Sequence, residues 1–184
     1  MVAKAISSLT GPFDPVELPK VSPNSVDYEA ELVVVIGKGG RHIPRSEAYK
    51  HVFGYSVGND VSVREWQMNN PQWGLAKSFD THAPVGPWIT TADDVKDPHN
   101  LAIRCWINDE LRQNSNTREQ IFKIPEQIEH ISKAMTLLPG DMIFTGTCGG
   151  VGFLFVPSIP LAVGDKMRVE IESLGAIENI CVSE

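Results

Sequence analysis

The sequence predicts an α+β fold dominated by strands, and three observations predict it. Residues 28–36, YEAELVVVI, are crowded with β-branched side chains and stop at the turn Gly37-Lys38-Gly39-Gly40, so they read as a strand buried on both faces. Residues 101–115 place LAIRCWI and LRQNS on either side of Asn108-Asp109, two residues that tolerate positive φ, which is a β-hairpin pattern. Strands outnumber helices without alternating with them, so the expected architecture is a large mixed sheet curled into a sandwich or roll.

The elements follow in order. Residues 11–23, GPFDPVELPKVSP, carry four prolines, which remove backbone donors and disfavour helix and central strand alike; residues 1–25 therefore read as an extended arm. No repeat, low-complexity tract or second linker follows, so residues 26–184 read as one continuous domain. A second strand is expected at 53–59, with short helices at 46–51 and 62–68 opened by Ser46 and Ser62. The clearest helix is expected from Pro125 to about Met135, where Ile124, Ile128, Ile131 and Met135 recur at helical spacing as a core-facing stripe. Turns at Pro139-Gly140-Asp141 and Val163-Gly164-Asp165 lead into the strands MIFTG and KMRVEIES, and AIENICV supplies the last strand.

A chain of 184 residues can bury one core without staples. Its formal net charge of -7 argues against a nucleic-acid or anionic-membrane partner, because both need clustered Lys and Arg. No apolar run approaches the roughly 20 residues of a membrane helix. Cys105, Cys148 and Cys181 form neither a CxxC pair nor an even disulfide set, which fits a reducing compartment. An acidic protein that takes a small acidic substrate must gather positive charge locally, through a bound cation or a few placed basic residues.

Glu29 and Glu31 are two apart on the first strand, so both carboxylates share a face with Val33 and Val35. In an apolar interior they would repel each other and lose hydration, and a divalent cation would relieve both costs. The ordinary alternative puts both at a sheet rim facing water. Asp60 directly follows a strand and offers a third carboxylate, or simply a cap. Three carboxylates with no neighbouring histidine or thiolate make a hard oxygen site suited to Mg²⁺, Mn²⁺ or Ca²⁺, with coordination positions left for substrate.

Six strings identify the chain as resembling the fumarylacetoacetate hydrolase family: DYEAELVVVIGKGG, GYSVGNDVSVREWQ, LAKSFDTHAPVGPW, NDELRQNSNT, LLPGDMIFTGTCGGVG and VGDKMRVEIESLG. They occur in the family's order and span residues 26–175, closest to the small domain-containing members and less to fumarylacetoacetase itself. The resemblance implies that Glu29, Glu31 and Asp60 are metal ligands, and that Lys77 is a catalytic lysine able to neutralise an enolate or deliver a proton. It also implies that Arg64, Gln67 and Thr147 bind substrate. Arg64 and Gln67 share a helix face at i and i+3, and an arginine can grip a carboxylate with two parallel hydrogen bonds. Without the motifs, Lys77, Arg64 and Gln67 would read as solvated surface residues. Thr147 stands in TGTCGGVG, where glycines admit a ligand and the hydroxyl can bond a carboxylate. Cys148 departs from the family's proline and reads as a buried structural thiol. No HExxH or GxSxG occurs, and His82 reads as a loop residue.

Hydrolytic relatives carry a water-activating His and Glu on a lid ahead of the stretch that here spans residues 7–15. No room for them remains in this sequence, so either it is part of a longer chain or it works without the pair. The main expectation is metal-dependent C–C hydrolysis of an acylpyruvate-type 2-oxo acid through a metal-stabilised enolate. The alternatives are oxaloacetate tautomerisation or decarboxylation, and a catalytically silent binding or regulatory protein. By resemblance a homodimer is expected, in cytoplasm or mitochondrial matrix.

Overall fold

The proline-rich arm does more than lead into the domain: it gives one strand to each of two sheets. In the computed structural model, which describes residues 2–184, β1 (Leu9–Thr10) and β2 (Val16–Leu18) are separated by a turn at 11–14 that Asp14 closes by accepting the Gly11 amide at 2.9 Å. The following strands are β3 (Val26–Asp27), β4 (Ala30–Ile36), β5 (Val52–Asn59), β6 (Ser62–Val63), β7 (Ala83–Thr91), β8 (Ala102–Ile107), β9 (Glu110–Asn116), β10 (Met142–Phe144), β11 (Lys166–Ile171) and β12 (Gly175–Ser183). The helices are α1 (Arg64–Asn69) and α2 (Ile124–Ala134).

One sheet has the order β1-β7-β5-β4-β10 and the other β2-β12-β11-β8-β9, while β3 and β6 form a small separate ladder. The pairs β1/β7 and β2/β12 run parallel and the remaining pairs antiparallel, so both large sheets are mixed as expected. β4 and β5 of the first sheet meet β8, β11 and β12 of the second, and one continuous core fills the interface. Every residue of β4 is buried, which explains the apolar run at 32–36 and leaves Glu31 as the one charged side chain the strand carries into the interior.

The hairpin forms as predicted, with Asn108 at φ 55° in its turn. α2 starts one residue earlier than expected, and the Glu126 carboxylate accepts the Lys123 amide at 2.8 Å. Ile124, Ile128 and Ile131 are buried against the 3₁₀ segment Arg45–His51, but Met135 is exposed because the helix ends at Ala134 and the chain turns extended there. The helix expected from Ser62 begins at Arg64. Ser62 belongs to β6, and its hydroxyl donates to the Asp60 carbonyl instead of capping.

Candidate metal centre

β4 begins beside the end of β5, with Ala30 opposite Asn59, and this juxtaposition gathers the acids. The Asp60 amide donates to the Glu29 carbonyl at 2.8 Å, and the Glu29 amide donates to the Asn59 side chain at 2.8 Å. Glu29, Glu31 and Asp60 are all buried, and each offers an oxygen such that the three lie within 4.8 Å of one another. The rim reading of the two glutamates is thereby excluded.

Cations crowd the same place. Lys77 ends a 3₁₀ turn, Leu75–Lys77, and its Nζ lies 2.7 Å from Glu29 Oε2 and 2.7 Å from Asp60 Oδ2. Arg64 Nη1 lies 2.6 Å from Glu29 Oε1 and also donates to Gln67 Oε1 at 2.8 Å, while its Nε and Nη2 both reach Asp27 Oδ2. A guanidinium has five hydrogens, and three are donated in these hydrogen bonds, both of those on Nη1 among them. A two-pronged grip on a substrate carboxylate therefore requires Glu29 to let go. With its oxygen on Arg64, Gln67 presents only its amide hydrogens.

Three residues that the sequence reading passed over complete the arrangement. Lys4, from the arm, places Nζ 2.6 Å from Asp60 Oδ1. Asp27 accepts from the Gly152 amide at 2.8 Å and the Phe153 amide at 3.0 Å, so it ties Arg64 to the glycine-rich loop. Gln113, wholly buried on β9, donates to Thr147 Oγ1 and to the Cys148 carbonyl, each at 2.9 Å. Asp27 could have been found as a further acid in the DYEAE string; nothing local marks Lys4.

Thr147 donates its only hydroxyl hydrogen to the Ala30 carbonyl at 2.9 Å, leaving a lone pair free. Cys148 is half-buried where full burial was expected, and burial pushes its thiol pKa up, away from nucleophilic use. His82 is fully buried with Nε2 bonded to the Glu17 carbonyl at 2.9 Å, and desolvation lowers its pKa to about 4, so it is neutral at pH 7. A cavity of about 270 Å³ has Asp27, Arg64, Met68 and Phe153 in its wall.

The charges do not balance. Asp27, Glu29, Glu31 and Asp60 bring four negative charges against three positive ones from Lys4, Lys77 and Arg64, and the carboxylate without a cationic contact is Glu31. It accepts the Gly146 amide at 2.7 Å. Burial, then the like charges of Asp60 and Glu29, push its pKa well above the usual carboxylate range. A buried surplus of negative charge among hard oxygen donors fits a divalent cation, for which these three carboxylates would be the ligands.

A pH dependence follows. A raised carboxylate pKa adds stability below the ordinary value of 4.5 that is lost as pH rises through the folded-state value, because the folded form then holds a proton the unfolded form has released. A cation must displace that proton, so its affinity falls about tenfold per unit as pH drops below the Glu31 pKa. Calorimetric Mn²⁺ titrations between pH 5 and 8 should show tighter binding and less proton release at higher pH.

The loop beyond β10 requires glycine at position 150 on two counts. Gly150 has φ +104°, and a Cβ there would stand 2.1 Å from the Arg112 carbonyl oxygen. Gly150→Ala should cost more than the roughly 1–3 kcal/mol of a strained backbone alone, read by urea unfolding.

A two-sheet fold carrying a buried carboxylate triad ringed by lysines and an arginine is of the class suited to binding a divalent cation. The model of the Fumarylacetoacetate (FAA) hydrolase C-terminal family matches residues 1–182, and the chain belongs to that family. It is 51% identical over 178 residues to the Xenopus laevis protein named oxaloacetate tautomerase fahd2, mitochondrial, covering 96% of this chain and 56% of that one. The chain thus spans little more than half the length of this relative. Among solved structures, 5-carboxymethyl-2-hydroxymuconate delta-isomerase from Mycobacterium smegmatis aligns with a TM-score of 0.90 and 38% identity over 98% of this chain and 68% of that one. Maleylpyruvate hydrolase from Sphingobium sp. SYK-6, in complex with manganese (II) ion and pyruvate, aligns with a TM-score of 0.85 and 43% identity over 96% and 62%.

Proposed function

We propose that this chain carries the catalytic centre of a divalent-metal-dependent tautomerase acting on oxaloacetate or a similar 2-oxo diacid. The observation that carries the reading is the buried triad of Glu29, Glu31 and Asp60 with Lys77 bridging two of its members. The tautomerase names of relatives near half identity turn the choice from C–C hydrolysis, the first expectation, to its alternative.

A bound Mg²⁺ or Mn²⁺ would supply Lewis-acid stabilisation of negative charge on the substrate's oxygens. Residues of this chain do the rest. Arg64, when released by Glu29, would offer two hydrogens to the C1 carboxylate, and the Gln67 amide would donate beside it. In the enol-to-keto direction the Lys77 ammonium gives a proton to C3 and the proton leaving the C2 hydroxyl passes back to Nζ, so the lysine ends the step charged as it began. The ammonium is available for this because Asp60 and Glu29 outweigh the opposing effect of burial and hold its pKa above the ordinary lysine value. Lys4 keeps Asp60 from turning away. The functional unit therefore includes Lys4 from the arm together with residues 26–184.

The mitochondrial designation of the relatives supports that compartment, and the exposed run Leu154, Phe155 and Val156 supports self-association as a homodimer. Decay of the enol absorbance of oxaloacetate tests the activity. Mn²⁺-dependent acceleration that EDTA abolishes is expected. Pyruvate release from an acylpyruvate without such acceleration would return the reading to hydrolysis, and silence toward both substrates would leave a binding protein.

A further inference from the structure

Ala30 lies between Glu29 and Glu31, and its backbone lies beyond the end of a ladder. β10 pairs with β4 only as far as Phe144↔Val33, after which the Thr145 amide bonds the Leu32 carbonyl and the chain departs. The Ala30 amide and carbonyl that point to this side are buried, and unpaired they would be costly. Side chains take over. Gln113 Oε1 accepts the Ala30 amide at 3.0 Å, and the Ala30 carbonyl accepts the Thr147 hydroxyl at 2.9 Å.

Backbone partners fix every orientation in this unit. The Ala30 amide can only donate, so the carboxamide oxygen of Gln113 faces it; the Cys148 carbonyl can only accept, so the carboxamide nitrogen faces that. The same nitrogen donates to Thr147, which turns the hydroxyl hydrogen onto Ala30. The residue before Thr147, Gly146, donates its amide to Glu31. One buried carboxamide from the second sheet thus clamps the backbone between two carboxylates and the loop that holds one of them.

We propose that Gln113 is a positioning residue of the metal centre, setting where the Glu29 and Glu31 carboxylates stand for the cation. The proposal rests on the reading of the triad as a metal site and is independent of the substrate. If Gln113 only relieved buried backbone groups, losing it would lower stability and leave cation binding alone. Gln120 is the internal control. It donates to Thr145 Oγ1 at 2.8 Å, and that hydroxyl donates to the Leu32 carbonyl at 2.8 Å, a tie of the same build. Leu32 keeps the Thr145 amide as a second donor, so the strand stays held without Gln120.

The test compares Gln113→Met and Gln120→Met with the unsubstituted protein by Mn²⁺ titration followed by electron paramagnetic resonance, with thermal unfolding alongside. The Mn²⁺ Kd should rise at least about tenfold in Gln113→Met, as for other residues that orient ligands, with a changed spectrum for the bound ion. In Gln120→Met it should stay within about twofold, the ordinary spread of a residue that touches no ligand. Parent-like binding by Gln113→Met, or equal weakening in both variants, overturns the proposal. Should Gln113→Met not fold, Gln113→Glu decides: it keeps the oxygen for the Ala30 amide and replaces the nitrogen, so a Kd within about twofold of the parent overturns the proposal and a tenfold rise supports it. Failure of the unsubstituted protein to bind Mn²⁺ overturns the metal-site reading itself, a result distinct from parent-like binding by the variant.

Discussion

Asp60→Asn should abolish stoichiometric Mn²⁺ binding and, with it, metal-dependent turnover. Asp60 is the one carboxylate here that holds two lysines, Lys4 on Oδ1 and Lys77 on Oδ2. An asparagine keeps the shape but removes the charge, so the cation loses a third of its anionic ligands. The same change leaves the buried ammonium of Lys77 and the half-buried one of Lys4 each short of a partner. Breaking a buried ion pair from one side typically costs about 3–5 kcal/mol. The loss here should fall below that range, because the amide oxygen still accepts one hydrogen bond and the surviving Glu31 carboxyl escapes a neighbouring charge. Thermal unfolding of the metal-free variant should therefore move down by several degrees, and Mn²⁺ should no longer raise it. A variant that still binds one Mn²⁺ per chain would remove Asp60 from the ligand set.

Lys77→Met should separate binding from chemistry by moving the two in opposite directions. The ammonium lies 2.7 Å from two proposed ligands, so it competes with the cation for both of them. Removing it should tighten Mn²⁺ binding. The proton that Lys77 is proposed to carry to C3 would be lost with it, and positioned proton transfer is worth about 10²–10⁴-fold in rate. Enol-decay kinetics at saturating Mn²⁺ should show that fall. Equal weakening of metal and turnover would mean Lys77 is a structural counter-ion only.

What the sequence made legible was what lies close along the chain. The ExE pair and Asp60 behind a strand come together because a strand's period of two and the end of one ladder are local properties, whereas Lys77 beside them was expected only from the family resemblance. Gln113 was missed for a physical reason. With regular pairing from the Ile107↔Glu110 turn, Cys105 would stand opposite Arg112. An irregularity between Cys105 and Trp106 shifts the register so that Cys105 pairs with Gln113, and the glutamine enters the core. No residue pattern announces that shift. Lys4 was missed because its partner lies 56 residues away and the prolines that follow it suggested a free arm. Ser62 failed as a cap because β6 pairs with β3 and holds it extended.

Anomalous diffraction from Mn²⁺-soaked crystals at the manganese edge asks the central question directly. The account predicts one strong peak with an oxygen of Glu29, of Glu31 and of Asp60 at about 2.0–2.3 Å, and Lys77 displaced from at least one carboxylate. Density for the ion elsewhere on the chain, with Lys4, Lys77 and Arg64 still seated on the acids, would contradict it.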